Sequence, residues 1–153
     1  MKTVTIKNLD ALRDFARNLA GGLRGGETIG LVGDLGAGKT TFVQLLAEEL
    51  GVKEAVKSPT FILMQAFPTS AAAAKRGAAR ICHVDAYRLK DWKELAAIGF
   101  EEYAGDPRTV TLVEWADRVP ELHRIAGYGE ITFAFKKGDS RELILDGVVL
   151  GRK

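Results

Sequence analysis

At the start of the chain Val4 and Ile6 alternate with Thr3, Thr5 and Lys7, and this period of two predicts a short, half-exposed strand. The spacing then lengthens to that of a helix at Leu12, Phe15, Ala16 and Leu19, with Asn8 or Asp10 placed to cap it and Gly21-Gly22 to end it. Thr28-Ile29-Gly30-Leu31-Val32 predicts a buried strand, and residues 42–50 predict a helix closed by Gly51. Pro59 holds Ser58 extended and cannot donate to a sheet, so Lys57-Ser58-Pro59-Thr60 reads as a loop or strand entrance leading into a strand over residues 61–64. Residues 69–80 carry six alanines without an apolar stripe, which suits an exposed hairpin excursion with one helical turn.

The second half returns to strands. Over Ile81-Cys82-His83-Val84-Asp85-Ala86-Tyr87-Arg88, a period of two puts His83, Asp85 and Tyr87 on one face and Cys82, Val84 and Ala86 on the other. Asp91 is placed to cap a helix with Trp92, Leu95 and Ile98 inward and Gly99 as its stop, and residues 100–103 can add one further turn. Thr109-Val110-Thr111-Leu112-Val113-Glu114 reads as a second buried strand, ending in a carboxylate. Ile131-Thr132-Phe133-Ala134-Phe135, Leu143-Ile144-Leu145 and Val148-Val149-Leu150 read as antiparallel strands turned at Lys136-Lys137-Gly138-Asp139 and Asp146-Gly147. The expected architecture is a three-layer α/β, P-loop NTPase-like domain with a mixed central sheet and antiparallel C-terminal strands, one domain over residues 1–153.

Composition narrows the partners. The 153 residues are 46% hydrophobic and 27% charged, the balance of a globular protein, with a net charge of +2 that demands neither DNA nor a membrane surface. The single cysteine, Cys82, excludes an intrachain disulfide and a cysteine-rich metal site, and is expected in the core. No apolar run approaches the roughly 20 residues of a membrane span, and the N-terminus lacks the apolar core of a signal peptide. A soluble, cytoplasmic protein is the expectation.

Between the first buried strand and its helix lies Gly33-Asp34-Leu35-Gly36-Ala37-Gly38-Lys39-Thr40, a match to G-x-x-x-x-G-K-[ST] in the strand–loop–helix context that a phosphate-binding loop requires. Gly33, Gly36 and Gly38 allow the backbone amides to surround phosphate oxygens. Lys39 is suited to the terminal phosphates and Thr40 to magnesium, with the helix presenting its positive end to the same anion. Glu114, at a strand end, is a candidate for the magnesium shell or for polarising water, against a plain solvated carboxylate. Asp85 is a second candidate, as a water positioner or magnesium partner, against a pair with Arg88 or a hydrogen bond to Tyr87. His83 is read as a structural hydrogen-bonding residue. Thr60 resembles the γ-phosphate-sensing threonine of GTPases, and strand capping is its alternative role. Guanine specificity is disfavoured, because Asn8 and Asn18 are each followed by leucine, leaving no Asn-Lys-x-Asp, and no Asp-x-x-Gly occurs. ATP is the expected nucleotide.

Four blocks in order are similar to the bacterial TsaE (YjeE) family: Gly33 to Phe42, Ser58-Pro59-Thr60-Phe61, His83-Val84-Asp85-Ala86-Tyr87-Arg88-Leu89 and Val113-Glu114-Trp115. The Ala-rich stretch over residues 69–80 looks longer than in many members, and no role is carried onto it. The resemblance implies a small ATPase that works with TsaB and TsaD to make threonylcarbamoyladenosine beside the anticodon of tRNAs reading codons that begin with A. TsaD transfers the threonylcarbamoyl group, and tRNA is met through the complex. It further implies that Gly33, Asp34, Leu35, Gly36, Ala37, Gly38, Lys39, Thr40 and Thr41 hold ATP. Thr40, Glu114 and Asp85 would hold Mg2+ or its shell, with Lys39, Asp85 and Glu114 catalytic. Thr60 and Trp115 would line or report on the site, and Arg141 would stand near the nucleotide. Two other readings of the loop stay open: a small-molecule kinase, for which Arg118 and Arg124 could serve although no Arg-rich lid stands out, and a non-catalytic nucleotide switch.

Overall fold

The computed structural model of the protein describes residues 1–57 and 62–151. The loop or strand entrance expected around residues 58–61, and with it the role of Thr60, lie outside the described residues. Strand β1 (Lys2–Ile6) leads into helix α1 (Leu9–Gly22), then β2 (Thr28–Gly33), α2 (Lys39–Glu49), β3 (Met64–Pro68), α3 (Ala71–Lys75) and β4 (Arg80–Asp85). Helices α4 (Trp92–Ala97) and α5 (Phe100–Ala104) follow, then β5 (Thr109–Glu114), two 3-10 turns (Ala116–Arg118 and Pro120–Arg124), β6 (Tyr128–Phe135) and β7 (Arg141–Asp146). These strands form one seven-stranded sheet in the order β1-β7-β6-β2-β5-β4-β3. Strands β6, β2, β5 and β4 run parallel in its centre, while β3 pairs antiparallel at one edge and β7 and β1 at the other. This is the expected mixed sheet flanked by helices.

Strand alternation sorts the sheet's two faces into two cores. Ile29, Leu31, Ile81, Val110, Leu112 and Ile131 pack with α1 and α2, whereas Cys82, Val84 and Val113 pack with Leu95, Phe100, Val119 and Leu122 on the opposite face. Burial pushes the Cys82 thiol up to about 12, as befits a core residue. Asn8 rather than Asp10 caps α1: its Oδ1 accepts the Ala11 N–H at 2.9 Å, and Asp10 sits in the first turn, where a carboxylate suits the helix dipole. Helix α2, which carries the motif lysine, is pinned by the fully buried Phe42, whose ring lies 5.7 Å from Phe15 and 5.8 Å from Phe133. Truncating such a ring costs about 3–5 kcal/mol.

The structure corrects three local expectations. The strand expected over residues 61–64 begins only at Met64, with Leu63 turned to φ +70° just before it. The strand expected to reach Arg88 ends at Asp85, so Tyr87 leaves the His83–Asp85 row for a turn; that row is itself buried. Val148-Val149-Leu150 forms no strand, because β1 already occupies the outer edge of β7. The tail lies instead along α1, where the Gly151 N–H donates to the Asn18 carbonyl at 3.0 Å. The Ala-rich stretch is a hairpin excursion with one short helix, α3, as expected, but it is not simply exposed, since Ala73 and Ala78 are buried in the core. Among the described residues no helix is long and apolar enough to cross a membrane.

Candidate functional site

The loop after β2 has the backbone an anion cradle requires. Gly36 and Gly38 stand at φ +80° and +111°, a region that residues with a Cβ rarely adopt, and a Cβ on Gly36 would point into open space. Gly38 is the N-cap of α2, so the helix starts directly beneath the loop. The Ala37 N–H donates back to the Asp34 carbonyl at 3.1 Å, which tightens the turn. Lys39 is buried, and its Nζ donates to the carbonyls of Gly33 (2.5 Å) and Asp34 (2.9 Å). Burial pushes this ammonium below its ordinary value, against the opposing pull of Glu114, Asp117, Asp34 and Asp85.

Sheet register brings the carboxylates to the loop. Asp85 and Glu114 are direct partners at the C-terminal ends of the adjacent parallel strands β4 and β5, and Glu114 also pairs with Leu31 of β2. Ligands of open α/β sheets bind at such carboxyl ends. Glu114 shares the parity of Val110 and Leu112, so it faces α2, where the Thr40 hydroxyl donates to its Oε1 at 2.7 Å. Its other oxygen, Oε2, lies 2.5 Å from His83 Nε2, and both side chains are almost fully buried. Thr40, Glu114 and His83 thus form a continuous chain from the loop into the core. The structural role read for His83 is thereby given a specific object, the orientation of Glu114. Period two held the signal: His83 stands two residues before Asp85 on the same strand face. Asp85 Oδ1 accepts the Tyr87 N–H at 2.9 Å, a backbone donor rather than the phenol.

An aromatic wall completes the cleft. Trp115, immediately after β5, takes φ +60°, an uncommon conformation for a bulky side chain and of the kind that clusters at functional sites. Its ring lies 4.1 Å from Lys39 Nζ and 4.9 Å from the ring of Tyr87. The cavity between loop, strand ends and aromatics measures about 390 Å³. Of the residues expected at the site, Leu35, Gly36, Gly38, Lys39, Thr40, Thr41, Asp85, Glu114 and Trp115 line it. Gly33 and Asp34 supply carbonyls to Lys39, and Ala37 is buried beneath the turn. Tyr87, to which the sequence reading attached no role at the site, also lines it. Arg141 is not among the lining residues: it opens β7, two strands from β2, with its guanidinium 4.5 Å from the Phe135 ring and Nη1 donating to the Ser140 carbonyl.

The donor set fits a small hard cation held jointly with phosphate. Thr40 and Glu114 present oxygen donors in contact with each other, and Asp85 adds a third at the next strand end. Among the described residues no group of three His, Cys, Asp or Glu could hold a metal by itself. Magnesium is held in this shared fashion, by one or two carboxylates together with substrate phosphates.

Sheet order, loop geometry and strand-end carboxylates define a P-loop α/β protein. The family model for "Threonylcarbamoyl adenosine biosynthesis protein TsaE" matches residues 6–143. The chain is 39% identical over 113 residues to the tRNA threonylcarbamoyladenosine biosynthesis protein TsaE of Streptomyces coelicolor, covering 72% of each chain. It is 37% identical over 120 residues to the protein of that name from Aquifex aeolicus, covering 77% of this chain and 79% of the relative. The crystal structure of YdiB from Bacillus subtilis superposes with a TM-score of 0.70 at 26% identity, covering 97% of this chain and 86% of that one. The chain belongs to the TsaE family.

Proposed function

We propose that this chain is a magnesium-dependent ATPase that supports threonylcarbamoyl modification of the adenosine next to the anticodon, working with TsaB and TsaD in the cytoplasm and meeting tRNA through that complex. The observation that carries the reading is the 2.7 Å hydrogen bond from the Thr40 hydroxyl to Glu114, which joins the phosphate loop to a strand-end carboxylate 74 residues further along. Lys39, held by the Gly33 and Asp34 carbonyls, exchanges these for the terminal phosphates of ATP and takes up charge as the phosphoryl group leaves. The amides of Gly36 and Gly38 cradle the phosphate chain. Bound magnesium would be held by Thr40 and Glu114 with Asp85 beside them, and would neutralise phosphate charge. Asp85 or Glu114 orients the attacking water. The threonylcarbamoyl transfer itself belongs to the partner.

Phosphate release from ATP by the purified chain, alone and with TsaB and TsaD, tests the reading. Release with water as acceptor, raised by the partners and abolished in Lys39→Ala, is the expected result. Transfer to a small acceptor would make the chain a kinase, and tight binding without turnover would make it a switch. Either result overturns the proposal.

A further inference from the structure

Among the described residues that line the cleft, one cation, Lys39, faces two carboxylates, Asp85 and Glu114. Asp34 and Asp117 pull on the same ammonium. A nucleoside triphosphate brings more negative charge than Lys39 neutralises, and phosphate-loop sites meet the excess at the terminal phosphate with a further cation. Arg118 is not itself a lining residue but borders the cleft. Its guanidinium carbon lies 5.0 Å from the Tyr87 ring and 5.9 Å from the Trp115 ring, both walls of the cleft. Lys39 Nζ rests 4.1 Å from that same Trp115 ring, so the two cations are no more than 10 Å apart. The Arg118 side chain is exposed, and among the described residues no carboxylate lies within salt-bridge distance of it. Its backbone is anchored, because the Arg118 N–H donates to the Trp115 carbonyl at 3.0 Å. An exposed guanidinium on ring faces is held weakly, whereas a phosphate offers it two parallel charge-assisted hydrogen bonds.

Resting on the nucleotide-site reading above, the geometry points to Arg118 as a sensor, in cis, of the terminal phosphate of the bound nucleotide. It leaves the Tyr87–Trp115 pair to contact the third phosphate and has no partner on a diphosphate. The site thereby tells the triphosphate from the diphosphate.

Calorimetric titration of the full chain with ADP and with a non-hydrolysable ATP analogue, both with magnesium, tests this without relying on turnover. Wild-type protein is expected to prefer the triphosphate. Arg118→Ala should cut that preference by about tenfold while ADP affinity stays within about twofold. Arg118→Lys should recover part of the preference, since it keeps the charge but loses the planar fork. Unchanged melting of the nucleotide-free variants would show that the fold is intact. A preference that survives in Arg118→Ala, or that wild-type protein never shows, overturns the assignment, as does an equal loss for both nucleotides. Wild-type protein that binds neither, like Lys39→Ala, would instead refute the nucleotide site itself and the sensor with it.

Discussion

At the N-terminal ends of β4 and β5, Asp106 accepts hydrogen bonds from Thr109 Oγ1 (2.6 Å), Arg80 Nη2 (2.5 Å) and the Arg108 N–H (3.1 Å), and Arg80 Nε reaches the same Thr109 oxygen. About 17 Å away, five residues along the same two strands, Asp85 and Glu114 meet a lysine that donates to backbone carbonyls and rests against an indole. The Thr109 and Arg80 hydrogen bonds hold the Asp106 carboxyl at about 2, whereas burial lowers Lys39. One end is a closed network whose charges answer one another. The other keeps a cation in a place that costs it solvation, held by two backbone carbonyls and an indole rather than by a paired carboxylate. Strain follows the same division, since the positive φ of Trp115 lies at the cleft end. A buried cation that rests on backbone carbonyls and an indole, more than the number of charged groups, separates the cleft end from the staple.

The sharpest way to break this contrast is Lys39→Ala. It should reduce ATP-dependent phosphate release at least about a hundredfold without lowering the melting temperature, since it removes a cation that burial disfavours. A loss of melting temperature with retained release would reverse the assignment of that end. Glu114→Gln comes next, with release at saturating magnesium and ATP down by about a hundredfold. Its amide can still meet the Thr40 hydroxyl and the His83 ring, so urea unfolding should shift little. His83→Leu leaves a buried oxygen of Glu114 without its donor and should cost about 1–3 kcal/mol in the same unfolding experiment. His83→Gln should recover part of that; equal values for Leu and Gln would mean that the ring only fills space.

The smallest effect is expected at the closed end. The folded-state value of Asp106 is depressed from 3.8 to about 2, so its contribution is present above 3.8 and is lost as pH falls through about 2. Asp106→Asn should therefore melt at a lower temperature than wild type at pH 7, and the gap should close below about pH 2 with phosphate release at pH 7 unaffected. A constant gap across pH would show that the carboxylate's charge is irrelevant to this network.

The strand–loop–helix unit is legible because its signals are local: eight consecutive residues carry the glycines, the lysine and the threonine, and the flanking strand and helix follow from neighbouring periodicity. Capping by Asp91 is legible for the same reason, since the cap acts three residues away, whereas Asn8 and Asp10 are both eligible at α1 and the structure selects Asn8. The limits of β3 and β4 do not show in the sequence because apolar residues run on through the turns at Ile62-Leu63 and Ala86-Tyr87, where a sharp change of backbone direction overrides the pattern. The third C-terminal strand failed for a reason further off: its would-be partner edge had been taken by the first residues of the chain.

Sequence by itself therefore determined most of the elements, though not all of their limits, together with the loop and the family to which they point, because each rests on residues close together or on a pattern carried by one segment. The tertiary structure decided which face Glu114 presents to Thr40, that His83 stands behind it 31 residues away, that Trp115 receives Lys39, and that Arg141 lies two strands off. These depend on strand order and register, where a shift of one residue would turn Glu114 away from α2 and break the chain from loop to core.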